Sequence, residues 1–386
     1  MRIGLTYNVR GSQKPPADGA LPFERRAAAA DAAPTSADLE SYLATIADDE
    51  EEFDSPETIQ QLAMAIEELG HDVDFLGDGE SMLRRLLGGS RPDLVLNIAE
   101  GTGSGRSREA RVPAALEMLG VPYTGSDPLT LAVTLDKHCA KRLVSAAGVA
   151  TPRGVLYQGT PLEAYSGGLA ELTLPVIVKP AYEGSSKGVL GTSLVHDLGE
   201  LENTLEQMFA YYGQPILAEE FIDGDELTVG VLGNASPEVL GIMRVLPVDE
   251  RGPFVYSLEV KRDWERRVRY ECPAALTATD SERVAGAALA AWQALGCRDV
   301  ARIDFRLRRG VPYFLEANPL PGLSSSSGDL VLLAGFMGVE YRELIGRILA
   351  AACERLGLSP TLGLSPTEDD RRAGAGRGGA LAAGAR

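Results

Sequence analysis

The sequence predicts a mixed α/β (α+β) protein in three parts: an N-terminal open α/β domain, a small central α+β domain and a larger C-terminal α+β domain. Three observations predict it. Over residues 1–125 strand and helix patterns take turns, and the third strand, DLVLNI, is the continuous apolar run of a strand covered on both faces. In the middle, LPVIVKP runs into the Gly/Ser-rich tip EGSSKG and the chain returns, as in a hairpin. Further on, residues 299–308 alternate apolar and charged, Arg309-Gly310 breaks the pattern, and residues 311–317 resume as a second strand.

Taken in order, residues 2–9 form the first strand. Residues 12–54 then lose all periodicity. They hold an alanine run, several prolines and the run DDEEE, with 11 acids against 3 bases over residues 12–55. That composition predicts a mostly disordered acidic insertion that solvates and carries no chemistry, with a helical piece over 36–47. Order resumes at Ser55-Pro56-Glu57, a hydroxyl N-cap with proline in the first helical position. Ile59, Leu62, Ala63, Ile66 and Leu69 follow at helical spacing up to Gly70. Strands are predicted over 72–76 and 93–98, with a helix over 82–87 between them. The third strand leads into EGTGSG and a helix over 109–119, and VPYTG closes the domain at 125. Ligands of an open α/β sheet bind beyond the C-ends of its strands, which is where Glu100 and Glu109 stand.

The central domain, 126–215, begins with a helix carrying Asp136-Lys137 and Lys141-Arg142. Its strand over 174–180 has one charge, Lys179. The tip 183–188, a strand over 189–195 and a helix over 198–212 complete it. The C-terminal domain, 216–358, has strands over 216–221, 226–232 and 239–246. A polar stretch with Lys261-Arg262, a helix over 281–295, the doubly alternating hairpin and a helix over 339–356 follow. Residues 359–386 are rich in Gly, Ala and Arg and predict a disordered tail.

Composition excludes several functions. The net charge of −18 argues against nucleic-acid binding through a basic surface. The four cysteines are scattered without a CxxC pair, so neither a zinc site nor a disulfide framework is expected. MRIGLTYNV reads as a strand rather than a signal peptide, and no run approaches the ~18 apolar residues of a membrane helix. The expectation is a cytoplasmic protein without nucleic-acid or membrane partners. His71 opens a strand, His138 sits next to Lys137 and His196 lies in a strand-to-helix turn, each a structural position, so catalysis centred on histidine is not expected.

The C-terminal hairpin carries chemistry. If its strands pair, Asp304 faces Glu316 and Asn318, which share a face by strand period. Two carboxylates and an amide oxygen are hard ligands of the kind Mg²⁺ takes, with phosphate oxygens and waters completing the octahedron. Arg302 shares the face of Asp304, and a cation beside a metal suits a transferring phosphoryl group. The plain alternative is a solvated outer face. Against it, PLPG followed by four serines packs poorly but suits an anion site lined by N–H groups and hydroxyls. Lys137 and Lys179 can reach phosphates, and the tip 183–188 has the glycines of a phosphate cover. Glu219-Glu220-Phe221-Ile222 ends a strand as an adenine-binding edge would, and Glu226 can take ribose hydroxyls. Each of these signals is weak alone.

Their order is specific. VIVKP-x-x-EGSS-K-G, a glutamate-bearing strand end with DGDELTV, a lysine-bearing loop and ARIDF…FLEANPLPG together resemble an ATP-grasp enzyme, over about residues 93–356. Within that superfamily the chain is similar to the D-alanine–D-alanine ligases, in which the N-terminal domain is Rossmann-like. The resemblance implies ATP and two Mg²⁺ as cofactors, with Mn²⁺ able to substitute. Lys137 and Lys179 would bind phosphates, and Glu219, Glu220, Phe221, Ile222 and Glu226 would hold adenine and ribose. Asp304, Glu316 and Asn318 would hold the metals. Arg302 and the backbone of Gly322 would form the oxyanion site. Lys261 would meet the γ-phosphate side, Ser186 would lie in the loop over the site, and Ser327 would sit near the second substrate's carboxylate. The implied reaction phosphorylates a carboxylate and lets an amine attack the acylphosphate, giving an amide.

Three departures touch the first-substrate side. The family's glutamate just after the first strand has no counterpart in 10–19, its His-Gly is Glu100-Gly101, and the aromatic after its loop lysine is Arg262. Glu100, with Glu109 as alternate, is therefore expected to take the first substrate's ammonium, and Arg262 to shift specificity away from plain alanine. The expected partners are small amino acids or peptides, with a homodimer admissible. Two further functions remain open: a ligase for other amino acids or peptides in secondary metabolism, and a non-catalytic ATP-binding regulator.

Overall fold

A computed structural model describes residues 1–11, 48, 50–161, 164–190, 193–249 and 252–359. The helical piece expected over 36–47 and nearly all of the expected tail lie outside them.

Three sheets carry the structure. The first is parallel, with β1 (Arg2–Thr6) between β2 (Asp72–Phe75) and β3 (Leu94–Asn97). The helix Pro56–Glu68 crosses from β1 to β2, and Ser55 Oγ accepts from Thr58 N as its N-cap. Residues 121–125 add only a single parallel bridge, Val95 to Tyr123.

The second sheet is antiparallel, in the order β4 (Gly154–Tyr157), β7 (Ile216–Glu220), β5 (Val176–Pro180), β6 (Leu194–Val195). Of the return strand expected over 189–195, the described residues form β6. The helix Leu198–Tyr212 has the expected bounds and packs Leu201, Leu205 and Met208 onto this sheet. The single helix expected early in the central part is two, Pro128–Leu135 and Lys137–Ala146. Asp136 separates them in extended backbone, and its carboxylate caps the second by accepting from Cys139 N.

The third sheet is also antiparallel: β10 (Val268–Glu271), β9 (Glu238–Pro247), β8 (Asp225–Gly233), β11 (Asp299–Arg308), β12 (Val311–Asn318). One face packs Val229, Val231, Ala301, Ile303 and Phe305 against the helix Ala278–Leu295. At the other, Leu232, Met243 and Val300 join the helices Asp329–Phe336 and Tyr341–Leu356 to the core of the first sheet, through Ile3, Leu5 and Leu62. The first and third sheets therefore share one core, which fixes the ends of β1 and β3 relative to the C-terminal hairpin.

That hairpin forms as expected. Arg309 and Gly310 take φ of 51° and 75°, the positive values a tight two-residue turn needs. Arg302 pairs with Asn318 and Asp304 with Glu316. Beyond them the register slips, because Phe305 pairs with Phe314 and Leu315 is extra. Strict alternation would put Phe314 and Glu316 on one face. The bulge instead buries Phe314 against Phe305 and leaves Glu316 on the polar side.

One expectation is corrected here. Residues 48 and 50–54 belong to the stretch read as a disordered, inert insertion, yet they are tied into the fold. Val9 bridges Asp54, Arg10 N donates to Asp54 O at 2.9 Å, and Asp54 N donates to Asn8 O at 3.1 Å. Tyr212 Oη donates to Asp48 at 3.0 Å, and Arg262 pairs with Glu51 at 2.7 Å. The acids that composition assigns to solvent have specific cationic and hydroxyl partners far along the chain, which a local window does not see.

Candidate active site

Two clefts meet at the polar face of the C-terminal hairpin. The first, about 810 Å³ and open to solvent, lies between the second and third sheets. From β5 and β7 it receives Lys179 and Glu219, from β8 Glu226 and Thr228, and from β11 Asp304 and Arg306. The second, about 740 Å³ including the solvent at its mouth, lies between the C-ends of the parallel strands and the loop after β12. Glu52, Glu100 and Glu109 line one wall and residues 317–323, including Gly322, the other. Arg302 and Glu316 line both clefts.

Charges in the first cleft are densely paired. Glu219, almost fully buried, stands between Lys179 at 2.5 Å and Lys141 at 3.2 Å. Burial pushes the Glu219 carboxyl up, but the two ammonium groups outweigh it and hold it below the usual range. Lys141 was not singled out as a site residue from the sequence. Burial and the repulsion of Lys179 outweigh Glu219 and bring it down to about 8. Its signal was the spacing Lys137-x-x-x-Lys141, which puts both ammonium groups on one helical face. Glu226 bonds Arg306, whose guanidinium stacks 4.7 Å over the Phe221 ring and donates to Ile222 O at 3.3 Å. Glu220 accepts from Thr173 N at 2.9 Å. The residues expected to hold adenine and ribose, Glu219 to Ile222 and Glu226, all line this cleft.

Where the clefts meet, Arg302 donates to Asp304 at 2.9 Å and 3.1 Å, and to Asp329 at 3.0 Å. Thr228 Oγ1 and Asn318 Nδ2 also donate to Asp304, at 3.0 Å and 3.3 Å. Lys137 pairs with Glu316 at 2.8 Å. Asp329, at the start of the helix Asp329–Phe336, went unnoticed in the sequence because an acid in a first helical turn is ordinary. Burial, with Glu316 and Asp329 nearby, pushes Asp304 up to about 6 against the pull of Arg302. Lys261 lies 3.7 Å from Asp329 and 5.9 Å from the Tyr256 ring centre.

Asp304, Glu316 and Asn318 fit a hard divalent cation. Asp304 and Glu316 pair across the hairpin, Asn318 reaches Asp304 through its amide, and the two carboxylates repel one another, a field such a cation relieves. Among the described residues no three His, Cys, Asp or Glu side chains converge to hold a metal by themselves. Phosphate and water oxygens would have to complete the shell of a cation held there.

The tip 183–188 reaches over both clefts. Ser185 and Ser186 take φ of 48° and 60°, a left-handed backbone unusual outside glycine. Ser186 Oγ donates to Tyr256 O at 3.1 Å, and Leu258 N to Val189 O at 2.9 Å, tying the tip to the Lys261 segment.

Glu52, missed from the sequence, accepts both 2.6 Å hydrogen bonds of Arg108 Nη2 and one from Gly184 N at 2.6 Å. Its signal was position: it stands just before the Ser55 cap, at the mouth of the cleft. Glu100 and Glu109 are where the crevice argument puts them. Gly101 turns the chain with φ +74°, and a Cβ there would meet Arg108 O at 2.5 Å. Two expected substrate residues stand apart. Arg262 pairs with Glu51 and lines neither cleft, and Ser327, exposed, donates to Ser324 Oγ at 3.0 Å.

Fold and site together define an ATP-grasp enzyme, an ATP-dependent ligase that forms an amide bond. Residues 158–350 match the family model described as D-ala D-ala ligase C-terminus. The chain is 31% identical over 308 residues to a D-alanine–D-alanine ligase of Fervidobacterium nodosum, covering 77% of this chain and 93% of that one. It is 38% identical over 256 residues to one of Cupriavidus pinatubonensis, covering 66% and 72%. The crystal structure of the Bacillus anthracis D-alanine–D-alanine ligase complexed with ATP superposes with a TM-score of 0.64 at 22% identity, over 92% of this chain and 98% of that one. The chain belongs to the D-alanine–D-alanine ligase family.

Proposed function

We propose that the chain joins the carboxylate of one amino acid to the amine of a second amino acid or peptide, in the manner of D-alanine–D-alanine ligases, using ATP and Mg²⁺. The observation that carries this reading is the sharing of Arg302 and Glu316 by the two clefts. A nucleotide in the first cleft and an amino acid in the second then meet at that wall.

Lys179 lines the first cleft, Lys137 and Lys141 stand behind its Glu316 and Glu219, and the three ammonium groups would offset the charge of a polyphosphate there. Phe221, Ile222 and Glu226 would hold the adenosine end. Asp304, Glu316 and Asn318 would hold Mg²⁺, two ions in all, and bound there it would neutralise the β- and γ-phosphates. The donor carboxylate attacks the γ-phosphorus and ADP leaves. The acceptor amine attacks the acyl carbon, phosphate leaves with the electrons of the broken C–O bond, and the amine loses a proton. Arg302 and Gly322 N–H would steady the negative oxygen of that second step, with Lys261 and Ser186 closing the site against water. Glu52, Glu100 and Glu109 would face the donor's ammonium.

ADP release and product mass, measured over a panel of D- and L-amino acids and dipeptides, test the reading. An ATPase rate indifferent to every amino acid, with no amide in the products, overturns it.

A further inference from the structure

The second cleft holds more carboxyl groups than one ordinary amino acid answers. Glu52, Asp54, Glu100 and Glu109 line it. Arg108 is committed to Glu52, and among the described residues lining this cleft the one cation, Arg302, is committed to Asp304 and Asp329 at the far wall. Asp54, Glu100 and Glu109 have no ion pair with any described residue.

Glu109 is the clearest of them. It is 7% exposed, lines the cleft, and has neither a hydrogen bond nor an ion pair among the described residues. Capping does not explain it: the helix Arg111–Leu119 has Ala110 at its N-cap and no side-chain cap bond. A charged carboxylate held in a protein cleft without a partner is costly, so Glu109 keeps its proton until a cation arrives, and it fits a site whose ligand brings that cation. One α-ammonium answers one such charge and leaves a second carboxylate unpaired.

We propose, resting on the ligase reading above, that the donor carries a second cationic group in its side chain: an ω-amino or guanidino amino acid rather than alanine. Its two cations lie against Glu109 and Glu100, and its carboxylate points to the wall of Arg302 and Glu316. A site built to pair a buried charge discriminates strongly against an isostere lacking it, because the site's own group is then left alone.

Calorimetry on the full chain, with a non-hydrolysable ATP analogue and Mg²⁺ present, tests this. The ligands are lysine, ornithine, norleucine and alanine, each as both enantiomers. One diamino acid is expected to bind at least about tenfold tighter than norleucine and alanine. Glu109→Gln should remove most of that preference while the ATP analogue binds as it does to wild type. Equal binding of diamino and neutral acids, tighter binding of alanine, or no binding of a diamino acid to nucleotide-loaded protein overturns the proposal. Binding needs no turnover, so a tightly held diamino acid that yields no amide overturns the ligase reading and leaves the donor class standing.

Discussion

Lys137 and Glu316 form a 2.8 Å ion pair that joins the first turn of the helix Lys137–Ala146 to β12 at the wall between the two clefts. Burial opposes both charges, and each holds the other ionised: Lys137 rises above its usual value, and Glu316 falls well below the carboxylate range under the pull of Lys137, Lys179 and Arg302. Replacing Glu316 by Gln is expected to lower turnover by at least about tenfold while ATP still binds weakly. Steady-state ADP release with a Mg²⁺ titration checks it. A variant with the wild-type rate and metal dependence would remove Glu316 from the metal set.

Glu219 holds two lysines inside the protein, so its loss should cost stability as well as nucleotide binding. Glu219→Gln leaves Lys141 and Lys179 buried without their counter-charge. Breaking a buried pair on one side costs roughly 3–5 kcal/mol. Urea unfolding of the apo protein should show a clear drop in midpoint. A midpoint equal to wild type would mean the three charges contribute nothing net.

Glu109 gives a pH-dependent prediction. Burial is the largest cause of its shift and Glu52 and Glu183 add to it. Together they outweigh Arg108 and Lys137 and push the carboxyl from 4.5 up to about 8. Between those values the folded protein keeps a proton that the unfolded chain has released, so stability falls as pH rises through the window. Glu109→Gln lacks this term. Its melting temperature should match wild type near pH 5 and exceed it by a few degrees near pH 8. The opposite order would show that Glu109 is paired in the folded protein.

Nucleotide should protect the Lys261 segment. Lys261 lies by the Asp329 carboxylate at the cleft, and the Ser186 tip already touches the neighbouring Tyr256. Trypsin cutting after Lys261 and Arg262 is expected to slow several-fold with a non-hydrolysable ATP analogue and Mg²⁺. Cutting after the exposed Arg84 serves as control. Equal rates at Lys261 with and without nucleotide count against closure.

The parts legible in the sequence share a local cause. Ser55-Pro56, the alternation of β11 and the Arg309-Gly310 turn are set by neighbours a few residues away, and the helix Leu198–Tyr212 keeps its expected bounds. The bulge at Leu315 was not legible, because it answers a need across the sheet: Phe314 must reach Phe305 while Glu316 stays in the cleft. Residues 252–274 read as merely polar, since the helices Leu258–Arg262 and Trp264–Arg267 bury little apolar surface. Glu52 was hidden by the acids around it. Composition averages over a run, whereas Arg108, 56 residues away, selects one member.

The bridge between Val9 and Asp54 has a use in protein engineering. It brings together two points well separated in the sequence, and hydrogen bonds from Arg10 N and Asp54 N fasten them there. Loop-closure entropy changes only logarithmically with length once the ends are fixed. A reporter domain spliced between Gly11 and Asp48 would therefore have both its ends held by this junction. A graft there is anchored beside Glu52, at the mouth of the second cleft, where a fluorophore would sense the arrival of substrate.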